Sequence, residues 1–337
     1  MARNTRASKG MKKIEPAVMT IPVSMSVPFG NSGFTADLSQ LASLMNRRFY
    51  RQGLNWACAG FKVRIVGTGQ GSVLLKKLPT TWTFSNSWTK GFKTWTEMNK
   101  QALDEAESVK GRFLDFKIYA DSIHHGAGFG ANLLPNDGTA VATPGEWIPS
   151  EVRVPNSVTN NTTAGFEILG VGDNYPGAGA SGKEAVSLIQ GYANSRSLPM
   201  VTDPNSPAEA TDAGPSATPE NWMSALHNEG VSQDSDVLAD ITAYDQPPYP
   251  YENDGTAVTT MYPGGGTQLP NLLVHDVTDL TATTISGTSY LKGGNFPCGL
   301  IRFDVQNTQP EALNLVVLID LVPGTHRGYM AESMLEM

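Results

Sequence analysis

The segment LNLVVLIDLV, residues 313–322, decides the fold. Only Asn314 and Asp320 interrupt its aliphatic side chains, so both faces of the segment are apolar. A strand of this kind needs cover on both sides and belongs at the centre of a sheet. Just upstream, residues 298–306 alternate, with Ile301, Phe303 and Val305 on one face and Arg302 and Asp304 on the other. The linker QNTQPEA between them makes the pair an antiparallel hairpin with a longer loop.

Working outward, the same period of two recurs. Met19, Ile21, Val23, Met25 and Val27 share a face in 18–27, with Pro22 placing that strand near an edge or bulge. Further strands are expected at 57–66, 73–84, 113–120, 164–171 and 271–283, with a short one at EVRV, 151–154. Asp37 opens a helix that carries Arg47, Arg48 and Arg51 in its last turn, and Gly53 suits the stop. Phe92, Trp95, Met98, Ala102 and Ala106 form the stripe of a second helix over 91–107, and a short third helix is read at 182–193. The helices sit in connections rather than after every strand, which argues against a parallel βαβ sheet. The expectation is all-β with short inserted helices. It is an eight-stranded antiparallel jelly roll of two four-stranded sheets with long end-loops.

The chain has 337 residues with a formal charge of −8, and the charge is uneven. Residues 1–117 hold 18 of the 24 Lys and Arg but 7 of the 32 Asp and Glu. The densest cluster is Arg3, Arg6, Lys9, Lys12 and Lys13, with no acid before Glu15. That segment has little to bury, so 1–15 is expected to be a disordered cationic arm that binds phosphates without reading sequence. Residues 16–337 would be the shell domain. Within it 172–270, with 13 acids against Lys183 and Arg196, would be an acidic surface projection between the strands at 164–171 and 271–283. Two cysteines, Cys58 and Cys298, make no disulfide framework. No apolar run approaches the ~18 residues of a membrane span, and the opening residues lack a clean apolar signal core.

Few residues suggest chemistry. GAGASGKE at 177–184 nearly matches a phosphate-binding loop, but Glu184 stands where a Ser or Thr should hold Mg²⁺. Asp121, His124 and His125 are weighed as metal ligands and read instead as surface-loop residues, so no metal site is expected. Acid pairs such as Asp234/Asp236 and Glu252/Asp254 read as solvated surface, Asn160 and Asn161 sit in sequons, and there is no GxSxG elbow. Trp82, Trp88, Trp95 and Trp147 are aromatics that stack bases or fill cores; Trp82 and Trp95 are read as core or interface anchors.

A basic arm, eight jelly-roll strands, a helix between early strands and a large acidic insertion together resemble a viral capsid protein. LNLVVLIDLVPGTHRGYMAESM (313–334) and WTFSNSWTKGFKTW (82–95) are similar to capsid proteins of small circular Rep-encoding single-stranded DNA viruses, the smacovirus-like members in particular. The resemblance implies a homo-oligomeric icosahedral shell of about sixty copies. It implies single-stranded DNA as cargo, with RNA as the alternative, and a host receptor met by acidic outer loops. It also implies residence in the virion after assembly inside the host cell, with no enzymatic activity and no cofactor. Related circovirus-like arms are long and arginine-rich, whereas this one is short. Either packaging also uses Lys62, Arg64, Lys76 and Lys77 on an inner surface, or the partner is not a genome. The rival readings are a β-sandwich carbohydrate-binding protein or glycosidase, and a viral receptor-binding fibre subunit.

Overall fold

The computed structural model describes residues 16–105, 115–155, 163–197, 222–225, 272–281, 283 and 287–337. The arm expected at 1–15 lies outside them, as does most of 172–270.

The first half runs β1 (Thr20–Val27), β2 (Gly30–Asp37), α1 (Leu38–Asn46), β3 (Leu54–Val66), β4 (Gln70–Lys77) and α2 (Trp82–Glu105). Next come α3 (Ser122–Ala127), β5 (Glu151–Pro155), β6 (Thr163–Leu169), β7 (Ala185–Ser187), α4 (Leu188–Ser197) and α5 (Trp222–Ala225). The chain closes with β8 (Leu273–Thr281), β9 (Thr288–Phe296), β10 (Leu300–Asn307) and β11 (Leu313–Leu321). Three short strands follow: β12 (Pro323–Gly324), β13 (Gly328–Tyr329) and β14 (Ala331–Ser333).

Two antiparallel sheets carry the core. In the first, β11 lies between β1 and β3, and β9 pairs along the other edge of β3. In the second the order is β2-β10-β4-β8. Pairing is nested: β1 with β11, β2 with β10, β3 with β9 and β4 with β8. Between the inner faces lie Ile21, Val23, Phe61, Val63, Val73, Leu75, Phe303, Val305, Leu315 and Val317 in one apolar cluster.

β11 takes the central position expected of it, but its outer face is not fully covered, because Val316 and Leu318 remain half-buried. The strand count differs from eight, with fourteen strands among the described residues. β2 and β9 had no expected counterpart. The strand expected at 164–171 is β6, which joins neither large sheet. It pairs with β5 and β7 in a separate three-stranded sheet. The strand expected at 73–84 ends at Lys77, since Pro79 cannot continue a ladder. Trp82 then starts α2, behind Thr81, whose Oγ1 accepts from the Phe84 N–H at 3.4 Å. Among the described residues of the strand expected at 113–120, only Tyr119 forms a β-bridge, a parallel one to Leu169. The helix expected at 182–193 begins only at Leu188, after β7.

The chain between β4 and β8 builds a second core. Trp88, Trp95, Phe116, Phe166, Ile168, Leu188 and Trp222 pack there with Cys298, just before β10, and Leu300 at its start. Of 172–270, Val186, Leu188, Ile189, Tyr192, Trp222 and Met223 are buried in this core, whereas residues 173–184 are exposed or half-buried.

Candidate nucleic-acid interface

The strand cations do not converge. Lys62 and Arg64 point outward from β3, opposite the inward Phe61, Val63 and Ile65. Lys62 Nζ lies 2.7 Å from Asp320 on β11, which raises its pKa through that hydrogen bond and charge. Lys76 lies on the outer face of the other sheet, paired to Asp304 at 2.6 Å. Lys77 turns towards β9, where Nζ donates to the Asn295 carbonyl at 2.9 Å and sits 5.7 Å from the Phe296 ring centroid. Burial lowers its pKa. Outward faces of two packed sheets look in opposite directions, so these four residues make no common surface. Among the described residues the Arg64 side chain alone of the four makes neither an ion pair nor a hydrogen bond.

A different set of cations gathers where the arm is attached. Helix α1 starts because Asp37 accepts from the Ser39 and Gln40 N–H groups, and it stops at Arg47, which adopts a left-handed backbone at φ 52°. Arg48 and Arg51 follow in the exposed loop to β3. Arg327, from the turn between β12 and β13, reaches this loop, with Nη1 donating to the Phe49 carbonyl at 2.6 Å. Tyr50 donates back to the Arg327 carbonyl at 3.0 Å and is buried against Trp56 and Tyr329. The first residues of the described chain are tied to the same place. The Val18 N–H donates to Asn46 Oδ1 at 3.0 Å, and the Tyr329 hydroxyl donates to the Val18 carbonyl at 2.6 Å. Lys13 is five residues from Val18, a reach of at most ~18 Å. Arg47, Arg48, Arg51 and Arg327 therefore stand at the end of the sandwich where Val18 is held. The spacing of the first three was visible in the sequence, but the contribution of Arg327 requires the fold.

Beside this end lies a cleft of about 530 Å³. Trp88, Phe92 and Trp95 recur on one face of α2 and line it together with Phe116. Trp88 and Phe92 stack at 5.0 Å and 11°, and Phe116 meets Trp88 edge-on at 5.8 Å. Arg51, Arg327 and His326 line the other side. Burial and the neighbouring Arg327 lower the His326 pKa, so the ring is neutral at physiological pH. Among the described residues the cleft carries one carboxylate, Asp115, which lies 2.8 Å from Lys117. Trp88 and Trp95 are thus buried in the second core while lining its surface, whereas Trp82 and Trp147 are half-buried.

The histidines of DSIHHGAGFG are buried, not surface-loop residues. Asp121 caps α3 through the His124 N–H at 2.8 Å and holds Arg302 of β10 at 2.6 Å. His124 Nδ1 accepts from the Ala120 N–H, and Nε2 faces Asn132 Oδ1 at 2.7 Å, so neither nitrogen is left for a metal. Burial lowers its pKa to about 3. His125 Nε2 lies 3.0 Å from Glu167 Oε2, close but not aligned for a hydrogen bond. No three His, Cys, Asp or Glu side chains group as metal ligands among the described residues. The GAGASGKE loop leads into a strand, not a helix N-terminus, and Lys183 is paired to Glu151. Cys58 and Cys298 are buried, and burial raises both thiol pKa values. The acid pairs at 234/236 and 252/254 and the sequons at 160 and 161 lie outside the described residues. No helix among the described residues is long and apolar enough to cross a membrane.

Compared with family models, curated proteins and solved structures, the chain has no match.

Proposed function

We propose that the eight long strands of the two large sheets form a jelly roll, and that the chain is a viral capsid subunit. It self-assembles into an icosahedral shell and packages single-stranded nucleic acid through its cationic N-terminal end. One observation carries the reading, the nested pairing of β1 with β11, β2 with β10, β3 with β9 and β4 with β8. That pattern arises when one long antiparallel ribbon rolls up into two facing sheets. The electrostatics support the second half of the reading. Five cations precede Val18 in the sequence, and Val18 is held beside Arg47, Arg48, Arg51 and Arg327; cations in such number bind phosphate by counterion release. The Asp121, His124 and Arg302 side chains are committed to internal contacts, which suits a structural role.

The test is the size and absorbance of the purified full-length protein. Capsid assembly gives very large particles in sedimentation, with a 260/280 ratio raised by nucleic acid. A monomer or trimer with the absorbance of plain protein overturns the proposal.

A further inference from the structure

We propose that the outer face of the first sheet binds the packaged single strand, with a base stacked on Tyr290 and phosphate held by Arg64. The proposal rests on the nucleic-acid reading above and adds a stacking surface to it. Strand register fixes what this face presents. Pro22, Leu318, Lys62 and Tyr290 form one row across β1, β11, β3 and β9. Ser24, Val316, Arg64 and Thr288 form the next. Tyr290 is 67% exposed, so its ring is open to solvent. It stands diagonally from Arg64, a separation of ~7–8 Å in paired strands. Arg64 is exposed, and its side chain makes no ion pair or hydrogen bond among the described residues. The two nearby carboxylates are each met by a lysine, Asp320 by Lys62 at 2.7 Å and Asp276 by Lys292 at 3.9 Å. The guanidinium of Arg64 is therefore the surplus charge. An open ring beside a free guanidinium takes a base by its π face and a phosphate by charge, without reading sequence. A second copy packed face to face here would bury Arg64 with no acid left to meet it, whereas a polyanion supplies that charge. The face also begins at the cationic end of the sandwich, because Thr20, bonded to Asp320, lies two residues from Val18.

The experiment is ultraviolet crosslinking inside purified particles of the full-length protein, with nucleotide adducts mapped by mass spectrometry after digestion. The expected result is an adduct on Tyr290 as well as adducts at the cationic end. Tyr290→Phe should keep the adduct at position 290, because the ring still stacks. Arg64→Gln should lower its yield by ~4-fold, the loss of one phosphate contact at about 0.15 M salt, while adducts at the cationic end persist. Both residues are exposed, so neither change touches the core. Adducts confined to the cationic end overturn the stacking surface and leave the reading of that end intact. Particles without nucleic acid, or no particles, overturn both. An unaltered particle with no adduct on Tyr290, together with a Tyr290→Asp chain that no longer assembles, identifies the face as a contact between copies and also overturns the proposal. The adduct is read in the unaltered protein, so a variant that fails to assemble does not spare the idea.

Discussion

Arg302 shows how a residue on an outward strand face comes to be buried. Its neighbours Ile301 and Phe303 fill the core between the sheets, and the alternation in 298–306 identified that correctly. The same alternation placed Arg302 outward, where sequence assigns a charged residue to water. Instead it is buried and paired with Asp121, the residue that caps α3. Removing one partner of a buried pair strands the other charge, so Arg302→Met should destabilise the fold by about 3–5 kcal/mol in denaturant unfolding. Lys62→Ala, which breaks an exposed pair, should leave the midpoint nearly unchanged.

His124 makes stability depend on pH. Its folded pKa is about 3 against an ordinary 6.5, so the unfolded chain binds a proton that the folded one refuses. Stability from this group is therefore complete above pH 6.5 and declines as pH falls towards 3, by up to about 3 kcal/mol at pH 4. Asp37 works in the opposite sense. Burial raises it to about 6, against hydrogen bonds from Gln52, Trp147, Gln40 and Ser39, so its contribution is complete below 3.8 and is lost as pH rises through 6. Thermal melts should show His124→Gln less stable at pH 7 but with a flatter acid limb than the unaltered protein. An identical acid limb would remove His124 from the account.

At the scale of elements, legibility followed side-chain patterning. β1, β3, β10 and β11 were readable because their inward positions are large and apolar at a period of two. β9, TSYLKGGNF, was not, because Gly293 and Gly294 break its pattern. The glycines are there because β9 runs tight against β3: a Cβ on Gly293 would lie 2.3 Å from the carbonyl oxygens of Cys58 and Ala59. Gly293→Ala should therefore lower stability by about 1–3 kcal/mol in thermal or denaturant unfolding, and an unchanged melt would contradict the close approach. β2 was missed for a related reason, since GNSGFTAD offers only Phe34 and Ala36 as apolar residues. The first turn of α2 was misread because Trp82, Thr83 and Phe84 favour strands, and the cap at Thr81 outweighs that local preference. β6 was recognised as a strand, but a period of two says nothing about which sheet a strand joins.

At the scale of the molecule, the cations read from the sequence on β3 and β4 do not share one surface. Lys62, Lys76 and Lys77 are tied to local partners on different faces. Arg47, Arg48, Arg51 and Arg327 stand where Val18 anchors the start of the described chain. Deleting residues 1–13 should lower packaged nucleic acid and flatten the salt dependence of binding. Five cations at ~0.7 each on a single strand make that change a slope of about 3–4. Neutralising Arg47, Arg48 and Arg51 to Gln in the deleted chain should lower packaging again, whereas Lys62→Gln with Lys76→Gln should not. The most direct measurement is a reconstruction of the purified particles by electron microscopy. The account expects Val18, Asn46 and Arg327 at the inner radius, facing nucleic-acid density. Finding that end on the outer skin, or finding no particles at all, would contradict it.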